Sequence, residues 1–182
     1  MEGLRPPAHE LVVLSPTHPE DVDDDGDPEA RASLKLRLQC YAVRISVFVH
    51  EQRFPLDVEI DAIDATATHF LLRLVPSLEP IGTIRAYRPP GATHYKLSRL
   101  AVLKEHRRFR FGRALVLALH EWVRNDARAH ASQGLVTVVS HSQIPVKGFY
   151  AKFGYTPESQ GEEFDEDGAP HQKMIARLPL SD

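Results

Sequence analysis

The sequence predicts a mixed α/β fold in which helices pack on a single sheet, and three observations carry that reading. Hydrophobic periodicity runs strand, helix, several strands, helix, strand, helix, strands along the chain. From Thr68 onward, apolar runs of strand length are separated by Pro or Gly. The 182 residues are 42% hydrophobic and 26% charged, the balance of a soluble globular chain forming one domain over 1–182.

The first strand is HELVVLS at 9–15, closed by Pro16 and Pro19. An acidic loop at about 19–27 follows. Asp21, Asp23, Asp25 and Gly26 imitate the start of a calcium loop, but Ala32 stands at the twelfth position, where a bidentate Glu belongs, so the loop reads as solvated. Asp27 suits a helix cap and Pro28 the first turn. Leu34, Leu38, Tyr41, Ile45 and Phe48 then recur at helical spacing and predict the buried face.

Pro55 ends that helix, and EQRFPLDVEIDAIDATA reads as an irregular acidic segment. Its Asp57, Glu59, Asp61 and Asp64 read as a solvated loop, with a cationic ligand as the sharper alternative. Three strands come next, THFLLRLV, PIGTIRAYR and YKLSRLAVL, in the order of an antiparallel meander. Leu115, Leu119, Trp122 and Val123 mark a long helix over 112–131, which Gly134 stops. LVTVVS is a buried strand, Ser142 and Pro145 open a short helix ending at Gly154, and HQKMIARL is the final strand.

Composition excludes several functions. The 22 basic against 25 acidic residues give −3, but six acids lie between Glu20 and Asp27. Without them the balance is 22 against 19, or +3. A near-neutral body ranks nucleic acid last among partners, although Phe109 and Phe111 between arginines could stack bases. No apolar run is long enough to cross a membrane, and the N-terminus does not read as a secretory signal. A single cysteine, Cys40, excludes an internal disulfide and fits a reducing, cytoplasmic or nuclear setting. It reads as small packing rather than as a nucleophile. His120-Glu121 lacks the second His of a zinc-protease motif, so no metal is expected, and Ser140-His141-Ser142 lacks the glycines of a nucleophile elbow.

The segment KLSRLAVLKEHRRFRFGRALVLALHEW concentrates the chemistry. Lys104, Arg107, Arg108, Arg110 and Arg113 crowd a turn leading into a helix. The helix supplies unpaired N–H groups and a positive dipole end, and these with the cations suit a phosphate. The other reading is a solvated basic turn.

This stretch resembles the acetyl-CoA-binding segment of the GNAT acetyltransferases, whose signature is Arg or Gln, two residues, Gly, one residue, then Gly or Ala. That register falls on Arg107, Arg110 and Gly112, with Arg110 standing where the family usually has its first glycine. VFVHEQRFPLDVEID, QIPVKGFYAKFGY and EFDEDGAPHQKMIARL resemble the first-helix region, last helix and C-terminal hairpin of the ElaA-like branch. The resemblance covers nearly everything after about residue 34.

The resemblance implies a mostly antiparallel, twisted sheet whose central strands splay apart to admit acetyl-CoA as cosubstrate. Backbone groups near Leu100, Ala101 and Val102 would face the acetyl and pantetheine groups. Arg107, Arg108, Phe109, Arg110, Phe111, Gly112, Arg113 and Ala114 would cradle the pyrophosphate, with Gln143 and Phe149 completing the cofactor contacts and a helix cap as the other reading of Gln143. Tyr150 matches the tyrosine that many members place beside the sulfur; packing in the core is its other reading. Glu51 is the first candidate for general base, a salt bridge or helix-end carboxylate being its alternative, and His171 the second, a satisfied strand histidine being its alternative. A water chain could also serve. The implied reaction is direct acetyl transfer to a primary amine, small or peptidic, with a non-catalytic acyl-CoA-binding or protein-interaction module as the alternative. Members of the family often form homodimers.

Overall fold

The structure is a computed structural model that describes residues 5–16, 27–130, 133–158 and 161–180. Apart from Asp27, the acidic loop lies outside the described residues, and the calcium-loop reading with it. Among the described residues, eight strands follow the order β1-β2-β3-β4-β5-β8-β6, with β7 pairing β8. The chain divides into two compact units: residues 1–85 with 99–115, and residues 86–98 with 116–182.

In the first unit, β1 (His9–Leu14) runs antiparallel to β2 (Thr68–Leu74), with Leu14 opposite His69. Helix α1 (Pro28–Arg44) starts as predicted, the Asp27 carboxylate accepting from Glu29 N–H at 2.9 Å and Pro28 occupying the first turn. Its buried face differs from the expected one. Leu34 and Leu38 are 48% and 53% exposed, whereas Arg37, Cys40, Val43 and Arg44 are buried. Apolar spacing alone misplaces the face, because two of the buried positions are arginines held by ion pairs and carbonyls. Cys40 packs with Leu14 and Leu71 in the core, as its small-residue reading expects.

The helix continues as a π-helical stretch, Ile45–Glu51, with Gln52 N–H bonding Val47 O at 2.9 Å. Two short helices, α2 (Leu56–Glu59) and α3 (Ile63–Thr66), occupy the segment expected to be irregular. β3 (Pro80–Tyr87) and β4 (Tyr95–Val102) take their places beside β2 in chain order. Gly82 permits close packing here. A Cβ on it would lie 3.1 Å from Leu115 Cδ1 and 3.4 Å from Ala101 O.

In the second unit, Tyr95–Leu97 of β4 pairs parallel with Val138–Ser140 of β5 (Leu135–Gln143). That ladder covers three residue pairs, although β4 runs on to Val102 and β5 to Gln143. β8 (Ala169–Pro179) lies antiparallel along β5, and β6 (Thr156–Pro157) and β7 (Glu163–Glu166) pair antiparallel with β8. Helix α4 (Phe111–Ala129) buries Leu115, Leu119 and Val123, as its periodicity predicts. Trp122 meets Tyr95 edge-on at 5.9 Å, and Tyr95 bonds Asp126 at 2.5 Å. A 3-10 turn at Ile144–Val146 leads into α5 (Lys147–Ala151). Ser142 belongs to β5 and bonds the Gln143 carbonyl, so it does not cap this helix. No described helix is long and apolar enough to cross a membrane.

Candidate active site

The first unit brings together the basic turn, the end of β4 and the acidic segment. Lys104–Phe109 forms a 3-10 helix that delivers the chain to α4 through Arg110, whose φ of 59° and ψ of 25° are left-handed. This is the position where the GNAT signature has glycine, and the backbone conformation explains the preference. Glycine enters that region freely, whereas other residues incur about 1–2 kcal/mol. Arg110→Gly is therefore expected to leave stability within about 1 kcal/mol of the parent, the relieved strain offsetting the added freedom of the unfolded chain. Urea unfolding measures this, and a loss above about 2 kcal/mol would contradict it.

The cations of the turn are not equivalent. Arg107 donates to Val102 O at 2.9 Å and grips both Glu51 carboxylate oxygens at 2.7 Å. Both side chains are partly exposed. The hydrogen bonds from Arg107 hold the Glu51 carboxyl below its usual range despite some burial. A carboxylate engaged in this way is well placed to orient Arg107 and is a weak proton acceptor. Arg108 lies over the Phe109 ring at 5.0 Å. Phe111 is buried against His9 and Phe109, so its ring cannot stack on a base and only its backbone is left for a ligand. No acid stands in the first turn of α4. Arginines with a helix N-terminus match the chemistry of a diphosphate.

β4 carries a second left-handed residue, Arg99, at φ 53°. Its guanidinium donates to Val58 O at 2.9 Å and approaches Asp61 at 3.3 Å and Glu59 at 3.5 Å. This bracing fixes the strand immediately before Leu100, Ala101 and Val102. Behind it lies a buried ionic cluster. Arg44 meets Glu59 and Asp64 at 2.6 Å, and Arg85 meets Asp61 and Asp64 at 2.7 Å. Glu59 and Asp64 therefore neither face solvent nor await a cationic ligand. Both readings of the acidic segment are corrected at these residues, because the counterions come from buried arginines of α1 and β3.

In the second unit, Tyr150 is 7% exposed and its hydroxyl hydrogen-bonds Ser140. Burial pushes the phenol up to about 12. Phe149 and Tyr155 pack against its ring at 5.4 and 5.6 Å. Gln143 precedes the 3-10 turn without capping it through its side chain. His171 is buried and its Nδ1 lies 2.9 Å from Ala169 O, which makes that nitrogen the donor.

The profile of the Acetyltransferase (GNAT) family matches residues 36–155. The chain belongs to the GNAT acetyltransferase family. Among its relatives in Bacillus subtilis (strain 168), the uncharacterized protein YyaT is 36% identical over 137 residues, 75% of this chain and 85% of that protein. YjcF, named an uncharacterized N-acetyltransferase, is 32% identical over 135 residues, 74% of this chain and 88% of its own. The crystal structure of Escherichia coli ElaA superposes with a TM-score of 0.68 at 23% identity, covering 92% of this chain and 99% of that one. That likeness shows the fold, and the GNAT fold stands as the sequence implies.

Within this GNAT chain, reading by residue type overlooked Arg44, Arg85, Arg99, His141 and Glu166. Arg44 between Val43 and Ile45, and Arg85 within PIGTIRAY, are charges inside apolar runs, a signal that could have identified the ionic cluster. His141 and Glu166 are 25 residues apart and meet only through strand pairing.

Proposed function

We infer that this GNAT protein is an N-acetyltransferase that moves acetyl from acetyl-CoA directly to a primary amine, residues 1–182 acting as one catalytic domain. The observation that carries the reading is the turn into α4, where Arg107, Arg108, Arg110 and Arg113 lie within seven residues of chain and the first turn of the helix holds no acid. Acetyl-CoA supplies the thioester carbonyl and a thiolate leaving group. The residues Arg107 to Ala114 bind its pyrophosphate through side-chain charge and backbone N–H groups. Backbone donors near Leu100, Ala101 and Val102 stabilise charge developing on the carbonyl oxygen, and Arg99 fixes their direction. Glu51 orients Arg107. Tyr150 hydrogen-bonds the departing sulfur, and Gln143 and Phe149 line the pantetheine.

Calorimetry with acetyl-CoA tests the reading. The protein is expected to bind it, and Gly112→Leu is expected to weaken binding at least tenfold, because a side chain there stands where phosphate must approach the first turn of α4. Absence of binding by the parent protein would overturn the reading. Binding without release of coenzyme A on any amine would favour a non-catalytic acyl-CoA-binding module.

A further inference from the structure

On the opposite face of β5 from Tyr150 lies a cluster to which no role has been given. Side chains alternate along a strand, so Ser140 and His141 point to opposite faces. Ser140 meets the Tyr150 hydroxyl, whereas His141 meets Glu166 of β7, with Nδ1 at 3.1 and 3.2 Å from its two carboxylate oxygens. Phe164 fixes the imidazole edge-on at 4.9 Å and stacks on His171 at 6.1 Å. The His141 side chain keeps 26% of its surface exposed, and among the described residues Nε2 has no hydrogen-bond partner.

We propose that His141 is the general base of this acetyltransferase, taking a proton from the amine acceptor at Nε2, and that Glu166 is the positioning residue that sets its tautomer. The proposal rests on the acetyl-transfer reading above. Three groups surround Nδ1 or lie close by: Lys96 from β4 at 3.2 Å, Glu166 from β7, and Lys173, opposite His141 on β8 and itself paired with Glu158. His171 lies beyond Phe164. The hydrogen bond from His141 holds the Glu166 carboxyl below its usual range. An ionised carboxylate at Nδ1 requires a proton on that nitrogen, which leaves the lone pair on Nε2. The opposite tautomer, with Nδ1 accepting from Lys96, would set two lone pairs against each other.

Protons and electrons balance across the strand. The acceptor arrives as an ammonium ion, and Nε2 takes one proton, freeing the nitrogen pair. The N–C bond forms and the C–S bond breaks, its electron pair leaving on sulfur. The nitrogen sheds a second proton as it becomes an amide. Nε2 takes each of these protons in turn and passes it to water, while sulfur takes its proton from the Tyr150 phenol, which water reprotonates, so one proton is released per turnover. Neighbouring residues of one strand thereby serve base and acid from opposite faces. Glu51, locked to Arg107, is less able to do this.

Two measurements test the assignment. Nitrogen NMR at pH 7.5 is expected to find His141 protonated on Nδ1 and bare on Nε2; a proton on Nε2 alone would overturn the proposal, and this test needs no acceptor. Kinetics then use acetyl-CoA with spermidine, glucosamine or a lysine peptide, whichever turns over fastest. His141→Asn keeps an amide for Glu166 but cannot take the proton, and is expected to lose about 100-fold in kcat with the acetyl-CoA KM within about twofold. Added imidazole should restore His141→Ala at least tenfold. Glu166→Gln is expected to lose about tenfold in kcat and to shift the acidic limb of the pH profile, a second test if the histidine variants do not fold. A His141→Asn enzyme within threefold of the parent would overturn the proposal while leaving the acetyltransferase reading intact. Failure of the parent to bind acetyl-CoA would overturn both.

Discussion

Arg44→Met is expected to destabilise the protein by about 3 to 5 kcal/mol at pH 7, measured by urea unfolding. Arg44 has no exposed surface, and it meets Glu59 through Nε and its carbonyl, and Asp64 through both terminal nitrogens. Methionine matches the stem but removes the charge. Two carboxylates then remain in a site closed to water, Asp64 keeping Arg85 and the Asp61 N–H and Glu59 keeping Arg99 at 3.5 Å. Removing one member of a buried ionic set costs more than the set contributes, because the survivors keep their desolvation penalty. Lysine is not a remedy, since its point charge cannot reproduce the planar fork that serves both acids. A loss below about 1 kcal/mol would show that Glu59 and Asp64 are satisfied without Arg44.

The same cluster sets the acid response. Burial pushes the Asp64 carboxyl up, but its bond to Arg44 and the charges of Arg44 and Arg85 outweigh this and hold it at about 2, below its ordinary 3.8. Burial holds His69 at about 4, below its ordinary 6.5. Both groups are depressed in the fold, so each contributes stability that is fully present above its unfolded value and is lost as pH falls through the folded one. His69 acts between about 6.5 and 4, and Asp64 between about 3.8 and 2, the latter worth about 2 kcal/mol. In Arg44→Met the share of the Asp64 contribution that comes from Arg44 is already missing, so the gap from the parent should narrow below about pH 4.

Legibility in the sequence followed the kind of force that places each residue. Leu115, Leu119 and Val123 were readable because hydrophobic burial leaves a periodic trace, and α4 buries all three. The α1 face was not, since Arg37 and Arg44 are buried by partners that lie 15 or more residues away. The basic turn was visible as charge, yet the pairing of Arg107 with Glu51 spans 56 residues and leaves no local mark. Arg110 was legible only as a departure from the family glycine; its left-handed backbone leaves no mark in the residue type and is seen in the structure alone. His141 and Glu166 depend on the β5–β8–β7 register, which no spacing rule supplies.

Tyr150→Phe is expected to lower kcat by about 100-fold or more while leaving the acetyl-CoA Kd within about twofold. Phenylalanine keeps the ring that packs against Phe149 and Tyr155, so the fold and the surrounding surface persist. What disappears is one hydroxyl on Ser140. With the phenol pushed up to about 12, it stays protonated throughout the working range, so the variant's pH profile should keep the parent's shape while its amplitude falls. The same shift bears on how the hydroxyl acts. A full transfer from a group at about 12 to a thiolate near 8.5 is uphill, so in the proposed role the phenol would stabilise the developing charge chiefly as a hydrogen-bond donor, its proton passing to sulfur only as water recharges it. Tyr150 should therefore matter most for poor leaving groups. Acetyl-CoA and an acyl thioester of a more acidic thiol, compared in parent and variant, distinguish this from a packing role. The defect is expected to shrink with the better leaving group, and an equal loss on both donors would reduce Tyr150 to support for the core.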